Sequence, residues 1–132
     1  MTDALTTYPA EILILLFLIV TFLQSGIDKI ADWKGNLGFI TEHFQSSPLK
    51  NMVPLLLGIV LVTEILSSLL MIVGVYQIIS SGLKEFALYG IELASLTLIF
   101  LLIGQRLAKD YAGAMTLAVY FIITIFGLYI LV

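Results

Sequence analysis

Four uninterrupted apolar runs, each approaching or exceeding the roughly 20 residues a helix needs to cross a hydrocarbon core of about 30 Å, dictate the solvent of this chain. They cover about Ala10 to Ile30, Asn51 to Ile79, Phe86 to Ile103 and Tyr111 to Val132 of the 132 residues. Hydrophobic residues make up 61% of the sequence and charged residues 11%, against roughly 45–50% and about 25% in a soluble domain. A soluble core is therefore excluded. The expectation is an all-α, transmembrane four-helix bundle that takes up residues 1–132 as a single domain in a lipid bilayer.

The connections set the order of the spans. About six residues around Ser80 to Glu85 join the second span to the third, and Gly104 to Asp110 join the third to the fourth. Links this short make the helices antiparallel neighbours. The first connection, Ala31 to Lys50, is longer and mixes Trp33, Leu37, Phe39, Ile40 and Phe44 with polar residues. It predicts a short amphipathic helix lying at the interface over Gly35 to Gln45, ended by Ser46-Ser47-Pro48.

Charge sets an orientation. Lys29, Lys34, Lys50, Arg106 and Lys109 fall in the first and third connections and only Lys84 on the other side, so those connections are expected in the cytoplasm and both termini outside it. Met1 to Ala10 carries no Lys or Arg, which argues for a retained first span rather than a cleaved signal peptide. The net charge of −3 and the scattered basic residues exclude nucleic acid as a partner. The absence of cysteine removes disulfides, thiolate metal sites and thiol relays. The single histidine, His43, cannot build a two-histidine haem site or a histidine-rich metal centre within one chain, and is expected as a surface residue of the interface. No phosphate loop, zinc-protease motif or nucleophile with its base is present, so neither a catalytic nor a metal residue is assigned.

Polar residues inside the spans carry the remaining information, because an ionised side chain in hydrocarbon requires a protein-facing position, a partner or a proton. Glu64 lies near the centre of the second span, roughly 20 Å along the helix from Asn51 at 1.5 Å per residue. Glu92 lies about two turns into the third, nearer the opposite surface. Helical spacing groups Glu64 with Ser67, Ser68 and Met71, and Glu92 with Tyr89 and Ser95. It also aligns Gly113, Thr116, Tyr120, Thr124 and Gly127 on the fourth span, and Thr21, Gln24, Ser25 and Asp28 on the first. Each helix thus offers one small or polar face to a shared interior. Such stripes pack membrane helices in nearly every protein of this kind and by themselves indicate packing. Trp33, Tyr76, Tyr89 and Tyr111 sit near span ends, where they act as interfacial anchors.

The run Phe22-Leu23-Gln24-Ser25-Gly26-Ile27-Asp28-Lys29-Ile30 closing the first span, the amphipathic connection, a second span with Glu64 and Gly74, and two closely linked helices resemble DoxX-like membrane proteins from about Ala10 to the C-terminus. The resemblance implies a four-helix bundle in a bacterial or archaeal inner membrane. Some relatives are linked to sulfur-compound oxidation with quinone or to membrane redox complexes, and distant eukaryotic relatives help assemble receptors. Membership fixes fold more than activity, and a thiol-disulfide mechanism like that of the cysteine-bearing relatives is excluded here.

Two functional readings follow. In the first, the chain is an accessory or assembly subunit without chemistry of its own, packed against other membrane subunits or a second copy. In the second, the bundle binds a quinone or another small lipophile, with Glu64 as the protonatable group and Lys29, Glu92, Arg106 and Tyr120 as further candidates. Lys29 closes the first span on the side where the second begins, although a large gap in depth separates it from Glu64. Transport ranks last, since four unbroken helices leave little room for alternating access.

Overall fold

In a computed structural model, which describes residues 2–132, the chain forms α1 (Thr2–Thr7), α2 (Pro9–Ala31), α3 (Trp33–His43), α4 (Val53–Ser81), α5 (Glu85–Leu107) and α6 (Tyr111–Leu131). Among the described residues there is no strand. The helices α2, α4, α5 and α6 are each long and apolar enough to cross a membrane, and they coincide with the four apolar runs. Pro9 starts α2 and Pro54 lies in the first turn of α4, positions where a missing backbone N–H costs no intrahelical bond. The short helix α1 was not signalled by hydropathy.

The bundle closes as a ring in which α2 packs on α4, α4 on α5, α5 on α6 and α6 back on α2. Two turns of three residues, Gly82 to Lys84 and Ala108 to Asp110, make the antiparallel connections. Gly82 ends α4 in the left-handed conformation, at φ 74°, which glycine adopts without steric cost. The core runs along the ring axis through Leu15, Leu18 and Phe22 of α2, Met71 and Ile78 of α4, Ile91 and Leu98 of α5, and Leu131 of α6. Large apolar side chains such as Phe17, Val62, Leu96 and Ile122 point outward and are exposed, as a lipid-facing surface requires.

Close approach is greatest between α4 and α5. A methyl group on Gly74 would press on the backbone of Ala87, and one on Gly90 would meet Met71 and the carbonyl of Ser67. Small residues at these crossings let the two backbones touch, which is how membrane helices gain packing where lipid offers no hydrophobic drive. The buried hydroxyls are bonded within their own helices: Ser68 Oγ donates to the Glu64 carbonyl at 2.7 Å, Ser95 Oγ to Ile91 at 2.8 Å and Thr124 Oγ1 to Tyr120 at 2.7 Å. Back-bonding of this kind uses up the polar group locally.

The expected single-faced stripes divide on folding. On α6, Thr124 and Gly127 are buried, Gly113 and Tyr120 half-buried, and Thr116 exposed; on α2, Thr21 and Ser25 are half-buried while Gln24 and Asp28 are exposed. A stripe at steps of three and four spans a wide arc, and each of these helices contacts its neighbours over only part of it.

The amphipathic helix begins two residues earlier than its pattern suggests, at Trp33. Asp32 alone separates it from α2 and caps it by accepting the Gly35 N–H at 3.2 Å, a geometry typical of helix starts. None of its residues is fully buried. It lies across the end of the bundle formed by the C-terminal ends of α2 and α5 and the N-terminal ends of α4 and α6. At the opposite end, Lys84 reaches Glu11 at 3.5 Å and stands 5.0 Å over the ring of Tyr8.

Candidate functional site

Glycine starts the site. Gly26 on α2 faces Ile65 and Leu61 of α4, where an added methyl would run into Ile65, so the two helices come together one residue from Glu64. Lys29 follows three residues later, on the same side of α2. Side chains on a helix lean toward its N-terminus, and Lys29 lies near the C-terminal end of α2, so its long stem leans back into the span. Its ammonium donates to Ser25 Oγ at 2.7 Å and reaches Glu64 Oε1 at 2.9 Å. The helix α4, with 29 residues, is about 43 Å long at 1.5 Å per residue, more than the roughly 30 Å of a hydrocarbon core. Part of its length therefore extends past the core or is taken up by tilt. Together these features close the gap in depth between the two residues.

The Glu64 side chain is 4% exposed and that of Lys29 16%. The contact is an ion pair: the ammonium, with three N–H groups, lies between Ser25 Oγ and the buried Glu64 Oε1, and no other donor reaches that oxygen. Ser67 and Ser68 donate to the Glu64 backbone carbonyl, at 3.0 and 2.7 Å. Lys29 is thus the group that balances the carboxylate.

Beside this pair lies a chamber of about 340 Å³. Its roof is α3, through Asn36 and Ile40, with Phe44 just past its end, and its walls are the first turns of α4, among them Leu57 and Val60, and the last turns of α5. Among the described residues Lys29 is the one charged side chain in that wall, with Asn36 and Gln105 as its amides. Glu64 stands outside the lining, one turn beyond Val60. Asn36 ties the roof to α2 by donating to the carbonyls of Asp28 and Asp32 at 3.3 and 2.8 Å. His43 ties its other end, with Nε2 3.1 Å from Gln105 Oε1 and 3.3 Å from Asp110 Oδ2. Asp110 in turn caps α6 by accepting the Gly113 N–H at 2.9 Å.

Of the five candidate residues, the structure brings Lys29 and Glu64 together and leaves the rest apart. Glu92 is exposed on α5. Arg106 is exposed too, 5.1 Å over the ring of Tyr111, although its neighbours Gln105 and Leu107 line the chamber. Tyr120 is half-buried and packs against the core from α6. His43, expected at the surface, is instead half-buried between α3 and the turn joining α5 to α6. Sequence reasoning missed Asn36, Gln105 and Asp110. A polar residue at the last turn of an apolar span, as Gln105 is, was the one available sign.

A family model, DoxX, matches residues 12–105, which spans the first three membrane helices, the roof and the chamber. The chain belongs to the DoxX family. Within this DoxX protein the matched region holds both members of the ion pair and every chamber residue named above except Leu107. Neither a curated protein nor a solved structure matches the chain.

Proposed function

We propose that this DoxX protein binds a lipophilic small molecule of the quinone class, an oxygen-bearing ring with an apolar tail, in the chamber beneath α3. The chamber itself carries the reading. Its volume of about 340 Å³ falls in the range of small-molecule pockets, roughly 300–1,000 Å³, whose walls are mostly apolar with a few placed polar groups. It is about twice the ~150 Å³ of an apolar cavity that takes up benzene. A bicyclic ring, or a single ring with the first branched unit of a tail, matches that size. Lys29 and Gln105 supply N–H donors suited to carbonyl oxygens, while both N–H groups of Asn36 are taken by the carbonyls of Asp28 and Asp32. Because Glu64 lies behind Lys29, its role runs through that lysine, and the chain is assigned no covalent chemistry of its own.

The five basic residues of the first and third connections gather at the chamber end of the bundle. By the bias of Lys and Arg toward the cytoplasm, the chamber opens on the cytoplasmic side of a bacterial or archaeal inner membrane, and both termini lie across it.

The test is native mass spectrometry of the protein extracted with its surrounding lipid. The expected spectrum shows a bound species of quinone mass that disappears in Gly104→Phe, a change that fills the chamber from α5, whereas the ion pair is held by α2 and α4. A chain that carries no such species and is recovered with a partner subunit at fixed stoichiometry overturns the reading in favour of an accessory role.

A further inference from the structure

We propose that Glu64 sets the charge selectivity of the chamber: by neutralising Lys29 from behind, it makes the site one for uncharged, oxygen-bearing lipophiles and turns anionic ones away. The inference rests on the chamber holding a lipophile.

A lone ammonium in an apolar wall is a strong anion site, because the surroundings screen it weakly. At the cytoplasmic face of a membrane, anionic lipids are abundant and would fill it. The wall of this chamber contains one ammonium, that of Lys29, but the Glu64 carboxylate stands 2.9 Å behind it, and the two together carry no net charge. The dependence is mutual. Glu64 Oε1 has Lys29 as its one partner, and the nearby serine hydroxyls are turned to the backbone carbonyl, so an anion drawing Lys29 into the chamber would leave a buried carboxylate uncompensated. A neutral carbonyl oxygen asks for a share of an N–H and leaves the pair intact. Glu64 therefore acts on the ligand through Lys29, as a specificity-determining residue that does not itself line the site.

Two probes of matched ring size read this directly, neutral 2-methyl-1,4-naphthoquinone and anionic 2-naphthoate. Binding is followed by equilibrium dialysis against the full chain in nanodiscs, with empty nanodiscs subtracted. The unmodified protein is expected to bind the quinone at least tenfold more tightly. Glu64→Gln is expected to raise naphthoate affinity at least tenfold and leave quinone affinity within about threefold, and adding Lys29→Met is expected to abolish the gain. Lys29→Met alone is the reciprocal measurement and should raise the affinity of 2-naphthylmethylammonium at least tenfold. Variants that weaken all probes together, or shift none, overturn the inference while quinone binding by the unmodified protein preserves the chamber reading. Binding of neither naphthyl probe by the unmodified protein overturns the chamber reading and the inference with it.

Discussion

Breaking the Lys29–Glu64 pair from its two sides should have unequal consequences. At 2.9 Å and an effective dielectric of ~20, the Coulomb attraction is about 6 kcal/mol, most of it set against the desolvation of both groups. Lys29→Met leaves the Glu64 carboxylate, 4% exposed, with no cation. Its short side chain cannot reach water from the middle of α4, so the loss should fall in the range of about 3–5 kcal/mol found for breaking a buried pair. Glu64→Gln leaves Lys29 with Ser25 Oγ at 2.7 Å. From two residues before the end of α2 the lysine stem can also turn outward to the headgroups. That variant should lose about 1.5–3 kcal/mol, the range of a hydrogen bond to a charged group. The double variant removes both charges and should be more stable than the sum of the single changes implies, with a coupling of at least about 2 kcal/mol. Reversible unfolding of the four proteins in mixed micelles measures the cycle. A coupling within about 0.5 kcal/mol, the scatter of independent sites, refutes the pair as a stabilising contact. A larger loss for Glu64→Gln than for Lys29→Met refutes the argument from side-chain reach.

Three further perturbations follow from the packing and the roof. Gly74→Ala sets a methyl against the backbone of Ala87, whereas Gly26→Ala meets the movable end of Ile65; the first should lose at least about 1–3 kcal/mol and the second less, and thermal melts that rank them in reverse would contradict the crossing described here. His43→Ala removes the polar tie between α3 and the turn joining α5 to α6. At about 1 kcal/mol for the lost hydrogen bond, amide exchange across Trp33–His43 should accelerate roughly fivefold, and unchanged protection would show that the roof is held by its apolar contacts alone. Glu92→Gln alters an exposed side chain and should change stability by no more than about 0.5 kcal/mol; a larger loss in the same micelle assay would mean that a neighbouring protein covers that face.

Hydropathy and connection lengths were enough to determine the four spans, their antiparallel order and the gathering of five basic residues at one end, because a bilayer of fixed thickness and connections of about six or seven residues leave few alternatives. The burial of Glu64, Ser67, Ser68 and Met71 on one face of α4 was likewise legible, since 3.6 residues per turn fix which side chains share a face. Periodicity says nothing about which neighbour that face meets, or at what height. Only the packed bundle decided that Gly26 lets α2 lie close enough to α4 for a lysine leaning back along its own helix to reach Glu64, while Glu92 and Arg106 stay exposed. The chamber belongs to the same category: its roof, walls and cation come from α3, α4, α5 and α2, and His43 meets Gln105 across 62 positions. Contacts at such separations are set by how helices tilt and cross, and that geometry exists only once all four are in place.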